Sequence, residues 1–201
     1  MKKKNLITVA VDSPAAAGAG TQSKLIAKHY NLFYLDTGKI YRYIGFLRLK
    51  NKKKISYLKI RKEILKLNPK KLLDKQLLTD DVAISAAIIA RDKKIRDVVH
   101  KFQQHHAYNP PRKFSGSILD GRDITSVQLI DATFKFYITA SLKIRAKRRF
   151  IEYKKLKKQI SFREVLKSIK KRDKSDFSRK ISPLKKTKDS LLINTTNLNK
   201  R

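Results

Sequence analysis

The first half of the chain alternates between short apolar runs and longer segments with helical spacing. Residues 6–11 form a β-branched run, which predicts a buried strand, and a loop of small residues separates this run from a predicted helix over residues 21–29. A second strand is predicted at residues 31–35 and a second helix at residues 39–49. This order of strand, loop, helix and strand is typical of an α/β protein with a parallel sheet.

The second half continues the pattern after a lysine-rich stretch. Residues 51–75 are only weakly helical and are interrupted by Pro69, and residues 108–116, with two adjacent prolines, predict a loop. Helices are predicted at residues 82–89, 95–106, 143–159 and 162–172, and strands at residues 117–119, 134–139 and 191–193. We therefore expect one domain over residues 1–201, with a parallel sheet flanked by helices.

Composition narrows the class of protein. A chain of 201 residues with 41% hydrophobic residues can build a real core, and the absence of cysteine excludes disulfides and thiolate metal sites. The apolar run near the N-terminus is too short for a signal peptide, and no apolar span of membrane length follows. The four histidines suggest no metal site. We expect a cytoplasmic protein that does not associate with membranes and holds no resident metal.

The net charge of +34 has two explanations at this stage. Such an excess favours non-specific binding of a polyanion, because neutralising phosphates releases counterions. The alternative is a compositional bias, since the excess is mostly lysine and is spread along the chain. Arginine is more informative than lysine, because its planar fork binds phosphate in a bidentate way that lysine cannot copy.

Residues 12–21, DSPAAAGAGT, connect the first strand to the first helix. A turn of small residues lets backbone N–H groups close around phosphates at a helix N-terminus. On the P-loop pattern G-x-x-x-x-G-K-[ST], Ser13 replaces the first glycine, Gly18 is the second, Ala19 replaces the lysine and Gly20 replaces the hydroxyl residue. Taken alone, this segment fits a generic strand–turn–helix connection at least as well as a phosphate site.

Four other segments, in order along the chain, resemble those of cytidylate kinases, which are P-loop nucleoside monophosphate kinases. They are LDTGKIYR at residues 35–42, LDGRDI at 119–124, RDKSDFSR at 172–179 followed by SPL at 182–184, and NTT at 194–196. The family versions are L-D-[ST]-G-x-[IM]-Y-R, D-G-R-D, R-D-x-x-D-x-x-R with A-P-L, and D-[ST]-[ST]. Together these four segments identify the family far more specifically than the loop at residues 12–21 does.

The resemblance implies a P-loop NTPase-type fold and transfer of the γ-phosphoryl group of ATP to CMP or dCMP. It also implies Mg²⁺ carried with ATP, a monomer, a reduced monophosphate-binding region near residues 50–90 and a basic lid near residues 149–165. The ATP-binding residues would be Ser13, Pro14, Ala15, Ala16, Ala17, Gly18, Ala19, Gly20 and Thr21. The CMP-binding residues would be Thr37, Tyr41, Arg42, Arg96, Arg122, Asp123, Arg172, Asp176 and Arg179. The catalytic residues would be Arg122, Arg179 and Arg148.

Several of these residues also have a plain structural explanation. Asp123 can be a helix cap, Tyr41 a core residue, and the arginines near Arg148 a solvated basic face. Ala19 lacks the charge that lies between the β- and γ-phosphates, so we expect reduced activity or compensation by another cation. Ala87 stands where the family has a serine that contacts cytosine. The competing hypothesis is a kinase-fold protein that has lost catalysis and binds nucleotide or RNA.

Overall fold

The computed structural model describes residues 6–52 and 54–198. At its centre lies a five-stranded sheet in the order β2-β3-β1-β4-β5, in which all neighbouring strands are parallel. The strands are β1 (Ile7–Asp12), β2 (Leu32–Asp36), β3 (Gly116–Gly121), β4 (Phe134–Thr139) and β5 (Leu191–Asn194). Each predicted strand is present, and the parallel α/β architecture is confirmed.

The helices follow the predicted order with shifted ends. They are α1 (Ala19–His29), α2 (Thr37–Lys50), α3 (Tyr57–Leu65), α4 (Asp80–Ile89), α5 (Lys93–Tyr108), α6 (Leu142–Lys155) and α7 (Phe162–Ser178). Helix α6 ends four residues before its predicted end, since Lys157 turns the chain with φ 54°. Helix α7 runs six residues beyond its predicted end, because neither glycine nor proline interrupts it.

The two faces of the sheet bury alternate residues of each strand. Ala10 and Leu119 pack on one face against α2, α3 and α5, whereas Val9, Val11 and Ile118 pack on the other face with α1. This alternation follows from the two-residue repeat of a strand, and helices on both faces explain why the strand sequences are apolar almost throughout.

All the regular elements described between α2 and α5 are helical. They are α3, α4 and two short 3₁₀ turns, Pro69–Leu73 and Lys75–Leu78. Helix α4 packs closely on α2 at Gly45, where a Cβ atom would lie 2.8 Å from the Ala86 nitrogen. The helical character of residues 51–75 was predicted, but their role as a monophosphate-binding region stays a prediction.

Helices α6 and α7 pack against each other outside the main core. Val165 and Ile169 of α7 meet Ala146 of α6 in a small apolar cluster. Beside it, buried Arg145 forms a bidentate ion pair with Asp173, with donor–acceptor distances of 3.0 and 2.6 Å. None of the helices in the described residues is both long and apolar enough to cross a membrane.

Candidate active site

The segments that resemble family motifs converge at the carboxyl edge of the sheet. The register places Asp12 of β1 beside Gly121 of β3, and Asp36 of β2 beside Asp120 of β3. Strand β1 lies in the middle of the sheet, between β3 and β4. The chain adds β2 and β3 on one side of β1 and then β4 and β5 on the other side, so the strand order reverses at β1. Ligands of open parallel sheets bind in the crevice at such a reversal.

The loop between β1 and α1 has the backbone of a tight turn in front of a helix. Gly18 has φ 95° and precedes the first residue of α1, and the N–H of Thr21 donates to the Gly18 carbonyl at 3.1 Å. Ala16 has φ 60°, a left-handed conformation that favours glycine. The turn is therefore formed even though an alanine occupies a strained position, and the N-terminus of α1 faces the carboxyl edge of the sheet.

Two arginines of α6 brace this loop from outside. Arg145 donates to the Ala15 carbonyl at 3.1 Å, and Arg148 donates to the Ala17 carbonyl at 3.3 Å. Arg148 also donates to the hydroxyl and carbonyl oxygens of Thr195 at 2.9 and 2.6 Å. Arg148 thus lies beside the predicted ATP loop, and its guanidinium binds protein oxygens there.

Two carboxylates lie side by side at the ends of β2 and β3. Asp120 is hydrogen-bonded by the Tyr34 hydroxyl at 3.1 Å, and a Cβ atom on Gly20 would lie 3.3 Å from its Oδ2. Burial, and then the negative charge of Asp36, raise the pKa of Asp120 to about 7. Two neighbouring carboxylates next to this small-residue loop would attract a cation.

Three arginines surround the single carboxylate of Asp176. Arg122 Nε lies 2.9 Å from it, while Arg172 Nε and Arg179 Nη1 lie at 3.9 Å. The positive charge of Arg122 lowers the pKa of Arg172 to about 10, and burial lowers the pKa of Arg179. The Nη2 atom of Arg179 is buried and donates to none of the described residues. The cluster therefore has an excess of positive charge and a free donor.

Arg42, Tyr41 and Thr37 border this cluster on α2. Arg42 donates to the Leu77 carbonyl at 2.8 Å, and burial lowers its pKa. The Thr37 hydroxyl donates to the Asp120 carbonyl at 2.7 Å, so it fixes α2 to the end of β3. Tyr41 packs against the main core, and burial raises its pKa to about 12.

Arg96 and Asp123 form a buried ion pair. Each residue is 7% exposed, and Arg96 Nη2 donates to Asp123 Oδ2. The same guanidinium lies 5.8 Å from the centre of the Tyr41 ring, which joins the pair to α2. Asp123 precedes a π-helical turn, Ile124–Gln128, and its side chain caps none of the N–H groups of that turn. The ion pair, rather than a cap, therefore explains its burial.

Asp12 holds that π-helical turn against the end of β1. Its carboxylate accepts from the backbone N–H groups of Ile124 and Thr125, both at 2.8 Å, and from the Thr125 hydroxyl at 2.7 Å. The residue is fully buried, and this burial raises its pKa to about 6 despite the three donors. The start of the loop and the segment that carries Arg122 and Asp123 are thereby linked.

Comparison with known proteins settles the family. A sequence model described as cytidylate kinase matches residues 9–201. The chain belongs to the cytidylate kinase family. The protein named cytidylate kinase of Fusobacterium nucleatum subsp. nucleatum is 41% identical over 96% of this chain and 91% of its own length. That of Clostridium botulinum (strain Loch Maree / Type A3) is 37% identical, with 95% and 91% covered.

Solved structures agree on the fold of this cytidylate kinase family member. An uncharacterized protein from Eubacterium ventriosum aligns with a TM-score of 0.51 at 17% identity, covering 94% of this chain and 89% of the other. The protein TT1252 from Thermus thermophilus gives the same TM-score at 13% identity, covering 97% and 91%. At these identities the likeness concerns the fold alone, which is a parallel α/β sheet flanked by helices.

Sequence reasoning overlooked four residues at this edge of the sheet. Asp36 and Asp120 were within the quoted motifs, and their position directly at the ends of two strands was the available signal. Asp12 closes the first apolar run, which is a similar signal. Gln128 lies outside every motif, and nothing in the sequence pointed to it.

Proposed function

We propose that this protein transfers the γ-phosphoryl group of ATP to CMP or dCMP and releases ADP with CDP or dCDP. The observation that carries the proposal is the cluster of Arg122, Arg172 and Arg179 around the single carboxylate of Asp176. In a chain of this family, such an excess of positive charge suits the phosphate of a monophosphate substrate. Phosphoryl transfer depends mainly on positioning and charge neutralisation, so no separate base is required.

The monophosphate would bind between this cluster and the pair formed by Arg96 and Asp123. Arg42, Arg122 and Arg179 would contact its phosphate. The buried Nη2 of Arg179, which donates to none of the residues that the structure describes, supports this role. Asp176 and Arg172 would contact the ribose. Asp123 would accept a hydrogen bond from the amino group of cytosine, which is the group that a carboxylate selects.

ATP would bind at the loop of residues 13–21. The N-terminus of α1 and the N–H groups of the turn favour its phosphates. Arg148, which braces the loop, and the segment near residues 149–165 would close over the nucleotide. Because Ala19 provides no charge, we expect either a slow reaction or a compensating cation from outside the loop.

Mg²⁺ carried with ATP fits the side chains next to the loop. Within the described residues, no group of three or more histidine, aspartate or glutamate side chains is arranged to hold a metal ion. Mg²⁺ nevertheless needs only one or two carboxylates when phosphates and water complete its shell. Asp36 and Asp120 would provide these, and the ion would neutralise phosphate charge during transfer. Burial is the main cause of the raised pKa of Asp120, and a cation bound beside it would favour the ionised form.

The remaining expectations concern the setting of the enzyme. We propose a cytoplasmic monomer that binds polyanions only non-specifically through its charge of +34.

A coupled assay of ADP release tests the reaction. Turnover should appear with CMP and dCMP at high enzyme concentration, should require Mg²⁺, and should be slower with UMP and AMP. Absence of turnover with all four monophosphates would reject the proposal. An Arg122→Met variant serves as a blank, because it retains the length of the side chain but not its charge.

A further inference from the structure

Gln128 is a buried amide next to the ion pair of Arg96 and Asp123. It is 3% exposed and ends the π-helical turn that follows Asp123. Its side-chain Nε2 donates to Asp123 Oδ2 at 3.2 Å, and its backbone N–H donates to the Asp123 carbonyl at 3.1 Å. Gln128 therefore contacts both the carboxylate and the backbone of Asp123.

The two oxygens of the Asp123 carboxylate have different surroundings. Arg96 and Gln128 both donate to Oδ2, whereas none of the hydrogen bonds among the described residues uses Oδ1. Two donors that approach Oδ2 from different residues prevent the carboxylate from rotating about its Cβ–Cγ bond. Oδ1 is consequently held in one direction and keeps its capacity to accept a hydrogen bond.

The other end of the Gln128 amide has no evident structural purpose. Its Oε1 atom is buried and accepts no hydrogen bond from the described residues. Reversing the amide would place this oxygen against a carboxylate, so the donor must face Asp123. A leucine or methionine would fill the same space without an unpaired acceptor. The donor, rather than packing, is therefore the property of glutamine that this position uses.

We propose that Gln128 is a positioning residue that gives the enzyme its preference for a 4-amino pyrimidine over a 4-oxo pyrimidine. The inference rests on the proposed function, in which Asp123 accepts from the base. Cytosine presents a donor amino group where uracil presents an acceptor oxygen, so a fixed carboxylate oxygen attracts the first and repels the second. Gln128 keeps Oδ1 of Asp123 directed at the amino group of cytosine. Ala87 has no side-chain group that could form a hydrogen bond with the base instead.

Replacing the amide by a thioether of similar volume isolates this role. In Gln128→Met, the KM for CMP should rise about tenfold, as expected for the loss of one hydrogen bond to a charged group. The dissociation constant of CMP should rise by the same factor. The values for UMP and ATP, and kcat, should stay within about twofold. The thermal midpoint should change little, because the variant loses an unpaired acceptor together with the donor.

Gln104→Met is the matched control. Gln104 Nε2 donates to the backbone carbonyl of Gln128 at 3.2 Å, so this variant disturbs the turn without touching the carboxylate. It should leave the ratio of CMP to UMP affinity unchanged. Should Gln128→Met fail to fold, Gln128→Leu gives the same comparison.

The outcomes separate this inference from the proposed reaction. An unchanged CMP to UMP ratio in Gln128→Met, or an equal fall in affinity for both nucleotides, overturns the role of Gln128. The wild-type protein could bind CMP more tightly than UMP in calorimetry and still never release ADP. That result overturns the proposed reaction, while the ratio of CMP to UMP affinity still decides the role of Gln128.

Discussion

At the scale of single residues, the proposed monophosphate site has an excess of positive charge, whereas the proposed ATP loop lacks its usual charge. Arg122, Arg172 and Arg179 share one acidic partner, so their charges repel one another until an anion binds. On the ATP side, by contrast, Ala19 contributes no charge and Ala16 holds a left-handed backbone at some cost. One substitution on each side tests these two proposals.

Arg179→Lys should weaken use of CMP. Lysine keeps the charge but loses the planar fork, so we expect kcat/KM for CMP to fall on the order of 10²-fold while the KM for ATP stays within about twofold. Steady-state kinetics with each substrate varied in turn measures both values. Lys180→Ala, at the exposed neighbouring position, is the control and should leave both unchanged. Equal losses for CMP and ATP would contradict a role confined to the monophosphate.

Ala19→Lys should accelerate the reaction. A restored ammonium group would stabilise charge between the β- and γ-phosphates, which corresponds to an increase in kcat of roughly 10²–10³-fold. Single-turnover measurements detect it. Ala19→Met, of similar length and without charge, should give no increase. If the lysine and methionine variants react equally fast, another cation already fills the role.

At the scale of elements, the site depends on contacts that join segments far apart in sequence. Asp12 fixes the π-helical turn after β3, and the Arg145–Asp173 pair fixes α6 to α7 beside the loop. Each contact buries ionisable groups, and each therefore predicts a measurable effect on stability.

Asp12 should make stability depend on pH. Its pKa of about 6 in the folded protein exceeds its ordinary value of 3.8, so the folded state binds more protons between these values. The free energy of unfolding should therefore fall by on the order of 3 kcal/mol as pH rises from about 4 to above 6. Urea titrations of the wild type and Asp12→Asn at several pH values measure the difference. Parallel pH profiles of the two proteins would exclude this linkage.

Arg145→Met should destabilise the protein through the pairing of α6 and α7. Its loss leaves the carboxylate of Asp173, only 13% exposed, without its bidentate partner, which costs roughly 3–5 kcal/mol in the free energy of unfolding. The double variant Arg145→Met, Asp173→Leu should recover most of that loss, because no unpaired charge then remains. A double variant that is less stable than Arg145→Met would show that the pair itself is net stabilising.

At the scale of the whole molecule, the net charge of +34 is the main electrostatic influence on stability. A charge of this size repels itself in the compact state, and salt screens that repulsion over about 10 Å at 0.1 M. Raising NaCl from about 0.02 M to 0.5 M should increase the melting temperature by roughly 5 °C. Differential scanning fluorimetry measures this increase, and KCl at equal ionic strength is the control. A lower melting temperature at high salt would show that attractive ion pairs outweigh the repulsion.

Much of the fold follows from local sequence patterns. The apolar runs located the five strands of the described residues, and helical spacing located every described α-helix except α3 to within six residues, because both depend on the geometry of neighbouring residues. The ends were less predictable: α7 continues to Ser178 because nothing stops it, and α6 stops where Lys157 adopts a left-handed conformation. Ends depend on caps and tertiary contacts, which spacing does not reveal.

The sequence by itself determined the family and the parallel α/β class, and it indicated the arginines of the proposed monophosphate site, because those features lie in short contiguous segments. Only the tertiary structure decided which of them meet. It brought Arg122 to the carboxylate of Asp176, placed Asp12 under the turn after Asp123, and buried Gln128 beside the carboxylate of Asp123. The contacts between Asp12 and this turn join residues up to 113 positions apart. Packing of the sheet and its helices creates them, and no local pattern encodes packing over such a distance.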